Sequence, residues 1–220
     1  RSDGEGERNV MLQTVEELDS LRVSDTGAAL PNPNLPLEFR VLSSGYGYIA
    51  IYSFSDDLPL MIRLWERAIE QVIGRNLRGL VIDIRDNGGG SGYLGDQLPA
   101  YFFRDPLVIG NTARYSEKRG QFVVNPATQD KFVLPTNGLY YGGPIAVLIS
   151  PSCASACEAF AFAMTMEERA AIVGHYPTAG LGGSVVPIAM PANARFNYTN
   201  SRSLGPDGEI NIEGKGVAPT

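Results

Sequence analysis

Apolar and polar residues follow two different periods along the chain, and the changes of period predict strands and helices. Short apolar runs predict four strands, at 38–43, 48–54, 78–85 and 144–149. The run 60–73 instead repeats its apolar residues at helical spacing, and Gly74 follows as a stop signal. Because 80–84 is apolar at nearly every position, we expect that strand to lie in the centre of its sheet.

The second half of the chain continues the same alternation. Further strands are predicted around 107–115, 121–124, 170–174, 184–190 and 194–201. Helices are predicted over about 93–103 and from Ala154 to near Glu167. Strands that alternate with helices in this way predict an α/β fold. Asp83 and Arg85, at the end of the central strand, are expected to form a structural pair.

The first 37 residues differ in pattern from the rest. Residues 8–14 predict one strand with a polar lead-in, and a single strand is not stable by itself. Residues 15–37 are irregular and include Pro31-Asn-Pro-Asn-Leu-Pro36, which is typical of a linker. We therefore expect 1–14 to belong to an upstream domain, 15–37 to be a linker and 38–220 to be one core domain.

Composition narrows the classes of partner. The net charge of −6 and the pI near 4.9 disfavour binding to nucleic acid or to an anionic membrane surface. No apolar run reaches the roughly 18 residues that a membrane span needs. We therefore predict no nucleic-acid partner and no membrane contact within this segment.

The two cysteines, Cys153 and Cys157, lie four residues apart where a helix is expected to begin. Together with the single His175 they are too few for a structural zinc site. A disulfide at this spacing would strain a helical turn, so we expect two small buried packing residues. No metal site and no cofactor is predicted.

Two turns carry the candidate chemistry, and each follows a predicted central strand. Ser155 lies at a strand-to-helix junction, where serine is either a helix cap or a nucleophile beside free N–H groups. The other turn, 86–92, has glycine at four of its last five positions and is either a plain turn or an oxyanion loop. It lacks the pattern of a phosphate-binding loop. Both turns follow the carboxyl ends of predicted central strands, which is where open α/β sheets place their binding and catalytic sites.

Four motifs occur in a fixed order: Gly47-Tyr-Ile-Ala-Ile51, Gly79-Leu-Val-Ile-Asp-Ile-Arg-Asp-Asn-Gly-Gly-Gly90, Ser152-Cys-Ala-Ser-Ala-Cys-Glu158 and Ile212-Glu-Gly-Lys-Gly-Val-Ala-Pro219. In this order and spacing they resemble the S41 peptidases, which are tail-specific and C-terminal processing proteases with the tricorn core as a sub-branch. The resemblance covers about 47–219. It implies an α/β core of the ClpP/crotonase kind, with a mixed sheet curling into a superhelix and helices outside.

The resemblance also implies roles for individual residues. The middle serine of the family's S-A-S-A-S-E pattern is the nucleophile, and it falls on Ser155. One oxyanion N–H comes from the next residue, Ala156. The other comes from the glycine turn, at Gly89 or Gly90. The implied activity is that of a serine endopeptidase acting on proteins or peptides.

The general base is where this sequence departs from the commoner family pattern. Processing proteases use a lysine in a glycine-rich loop, but the loop at 177–183 has none. This favours the tricorn-like branch, whose base is a histidine in an upstream segment, aided by a glutamate that falls on Glu213. His175 is the alternative base within this segment, but an ordinary surface or hydrogen-bonded histidine is expected there, and Lys215 is expected to be a solvated side chain. The base is therefore expected outside this segment, which alone would be inactive.

The same resemblance implies an organisation and a location. Residues 1–14 would be the last strand of a PDZ-like domain, which would bind the C-terminus of a substrate. Relatives of this kind are exported, which favours the cell envelope, the periplasm or secretion. A homo-oligomer is left open. The alternative is a catalytically inactive ligand- or peptide-binding module on the same fold.

Overall fold

The structure, a computed structural model, describes residues 35–54 and 57–220. The predicted upstream strand and most of the predicted linker lie outside these residues. In chain order the strands are β1 (Leu37–Val41), β2 (Gly47–Ile51), β3 (Leu80–Asp83), β4 (Val108–Ser116), β5 (Gln121–Val124), β6 (Asp130–Lys131), β7 (Ile145–Leu148), β8 (Ala171–Val173), β9 (Val185–Ala189), β10 (Arg195–Thr199) and β11 (Ser201–Leu204).

Within residues 35–54 and 57–220, three α-helices connect these strands. They are α1 (Leu58–Gly74), α2 (Gly92–Gln97) and α3 (Ala156–Thr165). The 3₁₀ segments are Leu98–Phe102, Pro126–Thr128, Met166–Glu168 and Pro191–Asn193. The predicted helix over 93–103 is thus divided between α2 and a 3₁₀ turn. Pro99 lies at the division, and it has no N–H with which to continue an α-helical ladder.

The main sheet has five strands in the order β1-β2-β3-β7-β8. The first two pair antiparallel as the predicted hairpin, and all other neighbours are parallel. Strand β3 has a partner on each side, which confirms its predicted central place. A second sheet has the order β11-β4-β5 with β6 also paired to β4, and β9 and β10 form a separate hairpin. The mixed α/β fold is confirmed, with its strands divided among three sheets.

Helix α1 shows how the sequence pattern produces the packing. The Asp57 side chain caps the helix by accepting the Leu60 N–H at 3.0 Å. The face that repeats at helical spacing is buried, and it consists of Met61, Trp65, Ala68, Ile69 and Val72. Trp65 contacts Phe160 of α3 edge-on, with ring centroids 6.1 Å apart. The apolar side of α1 therefore helps to fix the helix that begins at the candidate site.

Candidate active site

The turns after β3 and β7 leave the main sheet at the same edge. These strands are parallel neighbours, with Asp83 opposite Leu148, so the residues that follow them emerge side by side. The pairing continues past the strand ends, because the Ile84 N–H donates to the Leu148 carbonyl at 3.1 Å. The Ser150 hydroxyl then donates to the Arg85 carbonyl. The glycine turn and the serine turn are thus joined at their bases.

Ser155 occupies the N-cap position of α3 and is exposed. Its backbone has φ 56° and ψ −120°, a region that residues other than glycine rarely adopt. Glu158 caps this turn in return: its Oε2 accepts the Ser155 N–H at 3.1 Å, and its own N–H donates to the Ser155 carbonyl at 2.9 Å. The serine is therefore a helix cap by position, while its side chain remains open to solvent at the mouth of the turn.

Glu158 is fully buried and joins the serine turn to a second loop. Its Oε1 accepts the Thr178 hydroxyl at 2.7 Å and the Gly180 N–H at 2.6 Å. Its Oε2 accepts the Leu181 N–H at 2.8 Å, in addition to the Ser155 N–H. Four donors on one buried carboxylate satisfy the acceptor capacity that burial would otherwise leave unpaired.

Gly89 is the point at which the glycine turn meets the serine turn. A β-carbon built at Gly89 would lie 3.0 Å from Ser155 Cβ, 2.7 Å from the Ala154 carbonyl oxygen and 3.3 Å from the Ala156 nitrogen. Its φ of +104° also favours glycine. Only glycine fits at this position. Because Gly89 has no side chain, the glycine turn and the serine turn can be in contact.

Asn87 holds the glycine turn from inside the protein. It is fully buried; its Nδ2 donates to the Ile51 carbonyl at 3.0 Å, and its Oδ1 accepts the Gly89 N–H at 2.8 Å. Its own carbonyl accepts the Ala154 N–H at 3.3 Å. The Asn87 side chain thus links β2 to the glycine turn and occupies the Gly89 N–H, while its backbone carbonyl bonds to the serine turn.

Gly90 extends the pairing between the ends of β2 and β3. It forms a parallel bridge with Phe54, whose N–H and carbonyl bond to Gly89 and Ser91 rather than to Gly90. In such a bridge the peptide groups of the residue between the two bonds face away from the partner strand. The Gly90 N–H is therefore not used in the pairing with Phe54.

The prediction for the cysteines is wrong. Cys153 and Cys157 form a disulfide, with Cα atoms 5.4 Å apart, which is an ordinary span for such a bond. The prediction placed the helix start at Ala154, directly after Cys153, and treated the spacing of four residues as that of a helical turn. The helix begins at Ala156 instead, and Cys153 lies in the irregular turn before it. Both residues are fully buried, as expected.

The tail that contains Glu213 reaches the site through the loop around Thr178. The Gly214 N–H donates to the Gly180 carbonyl at 2.9 Å, and the Val217 N–H donates to the Thr178 hydroxyl at 2.7 Å. Glu213 itself is half-buried. Within residues 35–54 and 57–220, no hydrogen bond joins its carboxylate to Ser155.

His175 and Lys215 are both exposed, and neither is hydrogen-bonded to Ser155 among the described residues. Within the same residues, no group of three or more His, Cys, Asp or Glu side chains is arranged to hold a metal ion. Of the predicted site residues, the structure therefore brings together Ser155, Ala156 and Gly89, with Gly90 next to them. Glu213 lies on the tail that bonds to the loop around Thr178.

Asp83 and Arg85 form the predicted pair beside this edge. Arg85 donates to both carboxylate oxygens of Asp83, at 2.9 and 2.7 Å, and the Tyr48 hydroxyl donates at 2.6 Å. Burial by itself would raise the pKa of the Asp83 carboxyl, but the hydrogen bonds from Arg85 and Tyr48 outweigh burial and lower that pKa. The pair fixes the end of β3, from which the glycine turn starts.

Residues 45–220 match the family model described as Peptidase family S41. The chain belongs to peptidase family S41. The match covers both turns, the Thr178 loop and the tail, so it includes every residue of the site described above. No helix in the described part of this S41 domain has the length and apolar character needed to pass through a bilayer.

Relatives of this S41 domain are C-terminal processing peptidases. It is 32% identical over 173 residues to carboxyl-terminal-processing peptidase 2, chloroplastic, of Arabidopsis thaliana, covering 79% of this chain and 31% of that protein. It is 28% identical over 189 residues to carboxy-terminal processing protease CtpB of Bacillus subtilis (strain 168), covering 83% of this chain and 35% of that protein. The chain thus spans about a third of the length of these curated relatives.

The fold agrees with the family. The photosystem II D1 C-terminal processing protease superposes with a TM-score of 0.63 at 22% identity, over 84% of this chain and 47% of that one. At this identity the likeness shows the fold alone. The family prediction is confirmed, whereas the assignment to the tricorn-like branch stays a prediction.

Three residues of the S41 site were given no role by sequence reasoning: Glu158, Asn87 and Thr178. A signal existed for Glu158, because serine followed three residues later by glutamate is the sequence pattern of a capping box. No local pattern identified Asn87 or Thr178. Their bonds run to Ile51, Glu158 and Val217, which are distant in sequence.

Proposed function

We propose that the protein containing this S41 domain is a serine endopeptidase with Ser155 as its nucleophile. One observation carries the proposal: an exposed serine in a rarely populated backbone conformation opens α3, and Gly89 of the glycine turn lies against it. Backbone strain of this kind concentrates at functional sites. A serine that served only to cap a helix would not require a glycine from a second turn to pack against it.

In the proposed reaction, Ser155 Oγ attacks the carbonyl carbon of a peptide bond while its proton passes to a base. The carbonyl π electrons move to oxygen, and N–H donors stabilise the resulting oxyanion. The Ala156 N–H is the first donor. The second is the N–H of Gly89 or Gly90, and Gly90 is favoured because Asn87 already accepts the Gly89 N–H at 2.8 Å. Collapse of the intermediate breaks the C–N bond, and the amine leaves with a proton from the base.

The base comes from outside the described residues in this proposal. Its most suitable form is a histidine in an upstream segment, with Glu213 supporting the imidazolium that forms when it takes the Ser155 proton. The loop after β8 contains no lysine. The residue between its glycines Gly180 and Gly182 is Leu181. Half-burial at the tail leaves the Glu213 carboxylate accessible to a segment that packs on this face.

The substrate we propose is the C-terminal region of a protein, bound through an upstream PDZ-like domain. The names of the relatives support this, since they are C-terminal processing peptidases from a chloroplast and a bacterium. A peptide terminus is the ligand that such domains bind by strand addition. We also propose export to the cell envelope or beyond, which the disulfide supports because such bonds persist in oxidising compartments.

A fluorophosphonate probe on the intact protein tests the nucleophile. We expect covalent labelling that Ser155→Ala abolishes, together with a loss of peptidase activity on the order of 1,000-fold or more. Ser152→Ala is the matched control, because Ser152 is exposed in the same turn and should label at the wild-type rate. Labelling that survives Ser155→Ala would contradict the proposal.

The alternative is a binding module without hydrolysis, and one observation favours it. Among the described residues, neither His175 nor any lysine is hydrogen-bonded to Ser155. If the intact protein also lacks such a base, Ser155 would be a poor nucleophile at neutral pH. Intact protein that resists the probe yet binds peptide termini would establish this alternative.

A further inference from the structure

We propose that the disulfide between Cys153 and Cys157 positions Ser155 and the Ala156 N–H for reaction, so that the full reactivity of Ser155 requires the oxidised bond. The inference deepens the proposed function and rests on it. Neither cysteine touches the reacting atoms in this scheme; both act through the backbone that they enclose.

The bond encloses the candidate nucleophile symmetrically. It joins the residues two before and two after Ser155, so Ser155 is the middle member of a five-residue ring. The oxyanion donor Ala156 lies inside the same ring. In the family pattern quoted above, serine stands at both cysteine positions, so this chain has a covalent link where the pattern has two hydroxyls.

The ring encloses the part of the backbone that most needs support. Ser155 has φ 56° and ψ −120°, and such a conformation persists only where the surroundings over-determine it. On one side the Cys153 carbonyl accepts the Ala179 N–H at 2.9 Å. On the other side Cys157 belongs to the first turn of α3. The disulfide connects these two anchored points across Ser155, in addition to the Ser155 N–H bond to Glu158 and the bonds that the Ser155 carbonyl accepts from α3.

The burial of the two cysteines indicates whether the disulfide is permanent or is reduced and reformed during turnover. Both cysteines are 0% exposed and belong to the main hydrophobic core. A reductant therefore cannot reach the sulfurs without local opening, and we infer a bond that is made once, during maturation in an oxidising compartment, rather than cycled during turnover.

The size of the ring separates positioning from general stabilisation. In the chain-entropy model a disulfide stabilises less as the loop it closes becomes shorter, and this loop is among the shortest. Loss of the bond should therefore change the mobility and reactivity of residues 153–157 more than it changes global unfolding. That difference is the readout that a merely structural bond would not produce.

The experiment compares the intact wild-type protein with the double variants Cys153→Ser/Cys157→Ser and Cys153→Ala/Cys157→Ala. Peptide mass first shows whether the wild-type segment with both cysteines is two hydrogens lighter than its reduced form. We expect both variants to label with fluorophosphonate on the order of tenfold more slowly at saturating probe, with the dissociation constant of the probe changed less than about twofold. Amide hydrogen exchange over 154–158 should become faster. Ile69→Val, which removes one buried methylene from α1, is the control for lost stability alone.

The outcomes separate this inference from the function on which it rests. If wild type labels at Ser155 and both double variants label as fast, the positioning role is wrong while the peptidase proposal stands. If wild type does not label, the peptidase proposal fails, and unchanged exchange over 154–158 would then overturn the inference as well. A reduced Cys153–Cys157 pair in the native protein would overturn it at once.

Discussion

The turn after β3 and the turn after β7 meet at one edge of the sheet, but they are built differently. The glycine turn reaches its shape by omitting side chains, and Asn87 holds it from beneath. The serine turn keeps its side chains and uses them, through Glu158 and the disulfide, to hold an unfavourable backbone at Ser155. The glycine turn leaves space because it lacks side chains, and the serine turn packs into that space. A site assembled from both should therefore fail in two distinct ways.

The largest effect is expected for the serine turn, which is held by side chains. Glu158→Ala would leave four donors without their buried acceptor, and we expect the free energy of unfolding to fall by about 4 kcal/mol. Urea unfolding at neutral pH measures it. Glu70→Ala is the control, since Glu70 is exposed on α1 and should change stability by less than about 0.5 kcal/mol. A loss below about 1 kcal/mol for Glu158→Ala would show that the carboxylate is not what joins the turns.

A smaller effect is expected for the glycine turn, whose shape depends on the absence of side chains. A β-carbon at Gly90 would overlap the Phe54 carbonyl, at a φ of +139° that disfavours alanine. Gly90→Ala should therefore lower the free energy of unfolding by about 3 kcal/mol. Gly88→Ala is the matched control two residues earlier, because nothing lies within 4 Å of a β-carbon there. If the two variants unfold at the same urea concentration, room at Gly90 is not what the turn requires.

The smallest effect concerns the helix that follows the glycine turn. Burial raises the pKa of the Asp96 carboxyl on α2 to about 7, and the charge of Asp130 adds to the shift. The folded protein then binds this proton more tightly than the unfolded chain, so stability should fall as pH rises from about 4 to about 7. We expect a loss of about 2 kcal/mol between about pH 4 and about pH 6, which Asp96→Asn should remove.

Thermal unfolding across the same pH range, at constant ionic strength, measures this slope. Asp105→Asn is the control, because Asp105 is exposed and its variant should keep the wild-type pH dependence. An Asp96→Asn protein with an unchanged slope would place the pH dependence elsewhere in the molecule.

Local pattern was sufficient for most of the fold. The central place of β3 followed from its unbroken apolar run, and α1 followed from its spacing and its stop signal. The position of Ser155 at a strand-to-helix junction also followed, because the change of period marks that junction. In each case the deciding information lies within a few residues of the feature itself.

The remainder depended on residues far apart in sequence or on a boundary of two residues. The disulfide was missed because α3 begins at Ala156 rather than at the predicted Ala154, so two further residues of irregular backbone separate Cys153 from the first helical turn. The role of Asn87 depends on its bond to Ile51, a residue 36 positions away. Periodicity carries no information about such a bond, so only the assembled fold reveals it.

The bonds that run from the tail to the serine turn have a consequence for synthesis. Val217 bonds to Thr178, Thr178 to Glu158, and Glu158 to the Ser155 N–H, so the last support for the Ser155 backbone is more than fifty residues downstream of it. Contacts of such long range form late in folding. A chain still emerging from the ribosome, or cut before Ile212, would hold Ser155 without that support. The bonded support of the Ser155 backbone is therefore complete only once the whole domain has been synthesised.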